Sequence, residues 1–160
     1  MAPSRLEKEL KQSRPFEHLE TAVVLNLART HEALRGPQEA LMKDNGLSAA
    51  TYNVLRILRG AGKKGLPCRE IGERMVTRVP DVTRLLDRLT AAGLVARARD
   101  SADRRVVTNR ITPEGLKLLS AMDQPLVDLQ QQQLRHMSPD ELETLSELLE
   151  KARAGALSQE

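Results

Sequence analysis

Aromatic residues are almost absent from this chain of 160 residues, which has one Phe, one Tyr and no Trp. Proteins that bind single-stranded nucleic acid by stacking need aromatic platforms for the bases, so this class is disfavoured. The core must be built from Leu, Val, Ile, Met and Ala, which favours packed helices. Because 40% of the residues are hydrophobic, the chain has enough apolar side chain to fold as one domain.

Cysteine and metal-ligand patterns are equally scarce. Cys68 is the sole cysteine, which excludes an internal disulfide and a multi-cysteine zinc site. The three histidines show none of the short spacings of a metal site, so we expect no metal and no other cofactor. The sequence also has no glycine-rich phosphate loop and no nucleophile elbow. We therefore expect a protein that is not an enzyme.

Long hydrophobic runs are missing too. No apolar segment approaches the roughly 18 residues that a membrane span requires, and the N-terminus lacks the apolar stretch of a signal peptide. We therefore expect no membrane partner and a cytoplasmic location.

Charge is unevenly distributed, although the formal net charge is only +3. Residues 67 to 112 carry ten basic side chains, all arginine, against six acids, whereas residues 113 to 160 carry four basic side chains against nine acids. A guanidinium group donates paired hydrogen bonds to phosphates and base edges, which a lysine ammonium cannot do. The middle of the chain is therefore a candidate DNA-binding region, and an ordinary solvated charged face is the alternative.

This arginine-rich region is predicted to form the order helix, turn, helix, hairpin. Helix-length segments cover 67 to 75 and 78 to 92, and two β-prone runs, 94 to 99 and 106 to 112, flank a charged loop. That order makes a winged helix-turn-helix, a module that reads duplex DNA.

The second of these helices carries one apolar stripe, from Val82 through Leu86 to Leu89, which must face the core. Gly93 suits the position just past the helix end, with Leu94 touching Leu89 in a Schellman arrangement. The opposite face is free to meet a partner. A surface helix with ordinary charges is the alternative, which the charged hairpin that follows makes less favoured.

Helices are also predicted on both sides of this lobe. Apolar residues recur at helical spacing from Phe16 to Leu27, so we expect a helix over 16 to 35 that ends near Gly36, and a shorter one over 38 to 44.

On the other side, Thr112 and Pro113 suit the N-cap and first position of a long helix, and Ser138 with Glu141 forms a capping box for a last one. The apolar stripes of the terminal helices, 16 to 35 and 113 to 154, exceed what one small lobe covers. We expect them to interlock with a second copy around a twofold axis, with packing inside a monomer as the alternative.

The segments LSAATYNVLRIL, REIGERM, LLDRLTAAGLV and DRRVVTNRITPEG resemble the multiple-antibiotic-resistance regulator family, MarR, of bacterial transcription factors. The resemblance runs from about Leu47 to Gly115. Its sharpest part is the wing pattern of Asp, any residue and Arg, then a strand and Thr-x-x-Gly, which here falls on Asp103, Arg105, Thr112 and Gly115.

The resemblance implies one MarR-type domain over 1 to 160, mainly α-helical with a small β-hairpin wing. In it a winged helix-turn-helix lobe at 47 to 112 lies between N- and C-terminal dimerisation helices, 16 to 35 and 113 to 154. The second helix of the motif then enters the major groove and places Pro80, Asp81, Thr83 and Arg84 nearest the base edges. Including the neighbouring cations, the expected recognition set is Arg78, Pro80, Asp81, Thr83, Arg84 and Arg88.

Within that set, Arg84 is the expected base reader, because its guanidinium can pair with guanine O6 and N7. Asp81 either accepts from cytosine N4 or caps the helix. The resemblance gives the wing Arg105 as a minor-groove probe, Asp103 as its positioning partner and Arg104 as a phosphate contact.

The implied function is a sequence-specific regulator of transcription in the bacterial cytoplasm, a repressor that binds a pseudo-palindromic duplex as a homodimer. In relatives a small aromatic or anionic effector releases the DNA, and we assign no residue here to its site. Two alternatives stay open: a winged-helix module that binds protein rather than DNA, and a regulator that senses oxidants through Cys68.

Overall fold

The structure is a computed structural model that describes residues 4–99 and 107–157. Within these residues the chain is mainly helical and carries a small three-stranded sheet. The helices are α1 (Arg5–Glu9), α2 (Leu19–Asp44), α3 (Ala49–Ala61), α4 (Cys68–Glu73), α5 (Val82–Ala91), α6 (Pro113–Leu134) and α7 (Pro139–Leu157); the strands are β1 (Leu66–Pro67), β2 (Val95–Arg99) and β3 (Val107–Ile111). A single 3₁₀ turn at Gly62–Lys64 precedes β1.

The chain divides into two compact units between Met122 and Asp123, inside α6. The core of the first unit lies where α3, α5 and the sheet pack together. The apolar stripes of these elements point into it, as their spacing predicts, and leave almost no exposed surface on Val54, Leu55, Leu58, Ile71 and Leu86. The mainly α-helical fold with a β wing is therefore confirmed.

The sheet is antiparallel in the order β1, β3, β2. The two longer strands match the predicted hairpin within a residue at each described end. Strand β1 is an addition that the sequence did not indicate, because two residues are too short for a pattern. It places Leu66 opposite Asn109, and Arg97 of β2 lies opposite the same Asn109 from the other side.

Two N-caps fix the starts of α3 and α6, and the one at Thr112 is as predicted. The Ser48 hydroxyl accepts a hydrogen bond from the backbone N–H of Thr51 at 3.2 Å, so α3 begins at Ala49. The Thr112 hydroxyl accepts from the backbone N–H of Gly115 at 3.1 Å, so α6 begins at Pro113. Both bonds satisfy amide groups that a helix start leaves without partners.

The prediction that the first long helix covers 16 to 35 is wrong at both ends. Helix α2 begins at Leu19 and continues without a break through Gly36 and Pro37 to Asp44. A proline inside a helix removes one backbone hydrogen bond. The helix survives because its inward stripe resumes beyond the proline, where Met42 is buried.

A short helix that the sequence did not predict, α1, precedes α2. Its Glu7 carboxylate accepts hydrogen bonds from the backbone N–H of Ser4 at 2.5 Å and of Phe16 at 3.1 Å. These bonds, that from Ser4 first, lower the pKa of Glu7. The bond to Phe16 also explains why Phe16 lies outside α2, since it closes the segment between the two helices.

The second unit contains the rest of α6 and all of α7. The predicted capping box at its α7 start is present: the Ser138 N–H donates to the Glu141 carboxylate at 2.8 Å, and the Ser138 hydroxyl accepts from the Glu141 N–H at 3.3 Å. Leu145 and Leu148 of α7 are exposed in the single chain.

Candidate nucleic-acid interface

Helix α5 is the predicted recognition helix, and it begins later than expected. Its first residue is Val82, because the Asp81 carboxylate accepts a hydrogen bond from the backbone N–H of Arg84 at 2.9 Å and caps the helix. The prediction of a helix from position 78 is therefore wrong. Arg78 and Pro80 lie in the turn before the helix.

The Asp81 side chain caps α5, which is one of the two roles that the sequence left open. A carboxylate oxygen that holds the first turn of the helix is an N-cap, and its negative charge lies at the positive end of the helix dipole. This carboxylate positions the backbone of Arg84.

All six predicted recognition residues are exposed on the surface of the first unit: Arg78, Pro80, Asp81, Thr83, Arg84 and Arg88. The inward side of the same helix is anchored, since Leu86 and Leu89 are buried. Arg84 and Arg88 lie one turn apart, so their guanidinium groups share a face. Among the described residues neither makes an ion pair. Helix α5 therefore presents two arginines from a rigid support.

The turn between α4 and α5 is held from an unexpected side. The Asn53 side-chain oxygen on α3 accepts a hydrogen bond from the backbone N–H of Val76 at 2.8 Å. This bond ties the turn to the core helix. No local pattern could reveal it, because the partners lie 23 residues apart.

Cys68 opens α4 and is partly buried. Its sulfur lies 3.5 Å from the Thr83 hydroxyl of α5, so the first helix of the motif touches the second at this point. The predicted recognition residue Thr83 thus also serves the packing of the motif.

The connection from α5 to the wing has the predicted geometry. Gly93 has a φ of 73°, the left-handed region that favours glycine. The Leu94 N–H donates to the Leu89 carbonyl at 2.9 Å and the Gly93 N–H to the Thr90 carbonyl at 3.0 Å, which together form a Schellman motif. Strand β2 leaves the helix directly after it.

The Thr-x-x-Gly pattern has a structural explanation at this junction. Besides capping α6, the Thr112 hydroxyl donates to the Gly93 carbonyl at 2.8 Å. A Cβ on Gly115 would lie 2.5 Å from the Leu94 carbonyl oxygen, closer than such atoms approach, so only glycine fits there. The two residues lock the end of β3 against the start of β2.

The tip of the wing, with Asp103, Arg104 and Arg105, lies outside the described residues. The strands on either side of it are described, and Arg97 of β2 makes an ion pair with Asp87 of α5 at 2.7 Å. The sequence analysis missed this pair, because neither residue belongs to a recognisable motif.

The described part of the chain offers neither a metal-binding cluster nor a membrane-spanning helix. Within 4–99 and 107–157, no group of three His, Cys, Asp or Glu side chains could hold a metal ion. Of the helices described there, none is both long and apolar enough to cross a membrane.

Comparisons with known proteins agree on one family. The sequence model of the MarR family matches residues 45–106. The multiple antibiotic resistance protein MarR of Salmonella typhimurium is 31% identical over 106 residues, which are 66% of this chain and 72% of that protein.

Solved structures give the same result. The crystal structure of a MarR transcription factor from Planctomyces limnophilus is 38% identical, with a TM-score of 0.65, and the match covers 84% of this chain and 98% of that one. The protein chain in the crystal structure of the S. aureus MepR–DNA complex is 22% identical to this chain and shares its fold, with a TM-score of 0.72. The match covers 83% of this chain and 96% of that one.

Proposed function

Because the chain belongs to the MarR family of DNA-binding transcription regulators, we propose that it is a homodimeric repressor. In this proposal it binds a pseudo-palindromic operator sequence-specifically and leaves it when a small ligand binds. The observation that carries the proposal is the exposed arginine face of α5. Asp81 caps the start of this helix, and the buried side chains of Leu86 and Leu89 anchor its opposite face.

Base reading falls to Arg84. It lies in the first turn of α5, and the N-terminal residues of a recognition helix are those that reach base edges in the major groove. The exposed guanidinium can donate two hydrogen bonds to guanine. Arg88, one turn further along, is positioned to contact the phosphate backbone.

The wing residues keep the roles that the family pattern implies. Arg105 inserts into the minor groove, Asp103 orients it and Arg104 contacts a phosphate. Support comes from the described base of the hairpin, where the Schellman turn and Thr112 fix both strands next to α5.

Three arginine substitutions separate these roles. Arg84→Ala should weaken binding to the operator by about 1 to 3 kcal/mol and relax its sequence preference, because a paired contact to a base is lost. Arg104→Ala should weaken binding to all duplexes alike. Arg105→Ala should weaken binding most to duplexes whose minor groove is narrow and rich in A·T pairs. Competition binding of each variant to operator and shuffled duplexes measures these differences.

The control for these variants is Arg135→Ala, which removes one exposed positive charge from the segment between α6 and α7. It should leave both duplexes bound as before. Equal losses on every duplex from the substitutions at 84, 104 and 105 would contradict the assignment of separate roles.

A second copy is the proposed partner of the terminal helices. Leu19, Val23, Val24 and Leu27 of α2 are exposed in the single chain, as are Leu145 and Leu148 of α7. A soluble monomer seldom leaves such apolar stripes uncovered. A twofold axis also explains how two recognition helices reach sites one helical turn apart, about 34 Å.

The proposed ligand is a small aromatic or anionic molecule. It would release the operator by binding more tightly to a form of the dimer whose recognition helices no longer match the groove spacing. This step rests on membership of the family rather than on a cavity with assigned residues.

A further inference from the structure

Three residues that lie side by side in a row across the sheet, one on each strand, connect β1 to helix α5. Leu66 of β1 and Arg97 of β2 lie opposite Asn109 of β3 on its two sides. The Asn109 side-chain amide donates to the Leu66 carbonyl at 3.1 Å, and the Arg97 guanidinium bonds the Asp87 carboxylate of α5 at 2.7 Å. The row therefore runs from β1 to α5.

The inner part of this row is anchored firmly. Asn109 is 2% exposed, so its hydrogen bond to Leu66 is shielded from water. Arg97 is only one-third exposed, with 33% of its side-chain surface accessible, whereas the figure for Asp87 is 58%. A long side chain that is already restrained in this way loses less conformational entropy when it forms an ion pair than one that is free in water.

The ion pair also differs from its neighbours in what it connects. The pairs Arg69–Glu73 and Arg74–Glu70 join residues four apart, in or next to α4. The pair of Asp87 with Arg97 instead bridges two elements, a helix and a strand. It closes a ring that begins at the Schellman turn around Gly93.

The turn at Gly93 and the ion pair of Asp87 with Arg97 attach β2 to α5 at two points, and together they restrain the angle between strand and helix. From Gly93 to Arg97 the strand advances about 13 Å, and from Gly93 back to Asp87 the helix covers about 9 Å. The Schellman turn and the bond from Thr112 to Gly93 fix one corner of this triangle. The ion pair closes its open side.

We propose that Asp87 and Arg97 are positioning residues that set the angle between the wing hairpin and α5, and thereby the affinity that the wing contributes on DNA. The inference rests on the proposed function, since it assumes that the wing contacts DNA.

A double-substitution cycle tests the proposal on the full-length protein. Arg97→Gln should weaken operator binding roughly fivefold, the scale of a partly exposed ion pair. In a protein that already carries Arg105→Ala, the same change should cost much less, because the minor-groove contact of the wing is already lost. Arg97→Lys, which keeps the charge, should restore most of the affinity, and Asp87→Asn should reproduce the loss.

The matched control is Arg5→Gln, which breaks the ion pair of Arg5 with Glu9 on α1 and changes the net charge by the same amount. It should leave operator binding unchanged. If Arg97→Gln costs the same factor with and without Arg105, then Arg97 acts independently of the wing tip and the proposal is wrong.

A measurement without DNA separates this inference from the proposed function. Residual dipolar couplings of backbone amides report the orientation of β2 and β3 relative to α5. In Arg97→Gln this orientation should change or become averaged, and an unchanged orientation would overturn the inference. If Arg105→Ala alone leaves binding intact, the proposed wing contact fails, while the dipolar couplings still decide whether the ion pair sets the angle.

Discussion

Val23→Glu is expected to make the protein monomeric and to weaken its binding to the operator about a hundredfold or more. Val23 lies on the exposed apolar stripe of α2. In a twofold dimer the change would place a carboxylate from each copy in the apolar interface, where an unpaired charge is costly. The large effect on DNA binding follows because two linked half-site contacts gain a factor of about 10² to 10⁴ over one.

Sedimentation and operator titration of the same sample measure both effects. The control is Thr21→Glu, an exposed position two residues away and therefore about 160° around the helix from Val23. It should remain dimeric and bind DNA normally. A Val23→Glu protein that stays dimeric would contradict the proposed interface, and a monomer with full operator affinity would contradict the need for a dimer.

Gly65→Ala should lower the free energy of unfolding by about 4 kcal/mol. Gly65 has a φ of 66° and a ψ of −172°, a conformation that side chains rarely adopt and that costs roughly 1 to 3 kcal/mol. In addition, its new Cβ would collide with the Asn109 carbonyl oxygen, a backbone atom that cannot move away. Overpacking of this kind adds roughly 1 to 3 kcal/mol.

The neighbouring Gly62 provides a control for Gly65. It has a similar backbone conformation, with a φ of 61°, but a Cβ there would meet nothing within 4 Å. Gly62→Ala should therefore cost only the backbone strain, about 2 kcal/mol. Urea denaturation followed by circular dichroism compares the two variants. Equal losses would show that the close approach of Gly65 to β3 adds nothing to the cost of the substitution.

The features predicted correctly from the sequence are those that a few neighbouring residues determine. The caps at Thr112 and Ser138, the glycine turn at Gly93 and the apolar stripe of α5 all depend on partners within about one helical turn. The exposure of Thr83, Arg84 and Arg88 followed from the same stripe, since a helix that buries one face exposes the other.

The features that were missed depend on partners in other helices or strands. Arg97 meets Asp87 across a turn, and Asn53 holds the backbone of Val76 from another helix. The predicted end of α2 near Gly36 was wrong for a related reason, since burial of side chains beyond Pro37 outweighs the local preference to stop. Tertiary packing decided each of these cases.

The proposed function depends above all on the arginine face of α5, which in this proposal reads a particular DNA sequence. The most direct test selects genomic fragments with the purified protein and compares its affinity for a selected duplex with that for a shuffled duplex, over a range of salt concentrations. The selected duplex should bind about a thousandfold or more tightly, with an affinity that falls linearly on logarithmic axes as salt rises, and Arg84→Ala should reduce the ratio. Selected and shuffled duplexes bound equally well, or not at all, would contradict the claim.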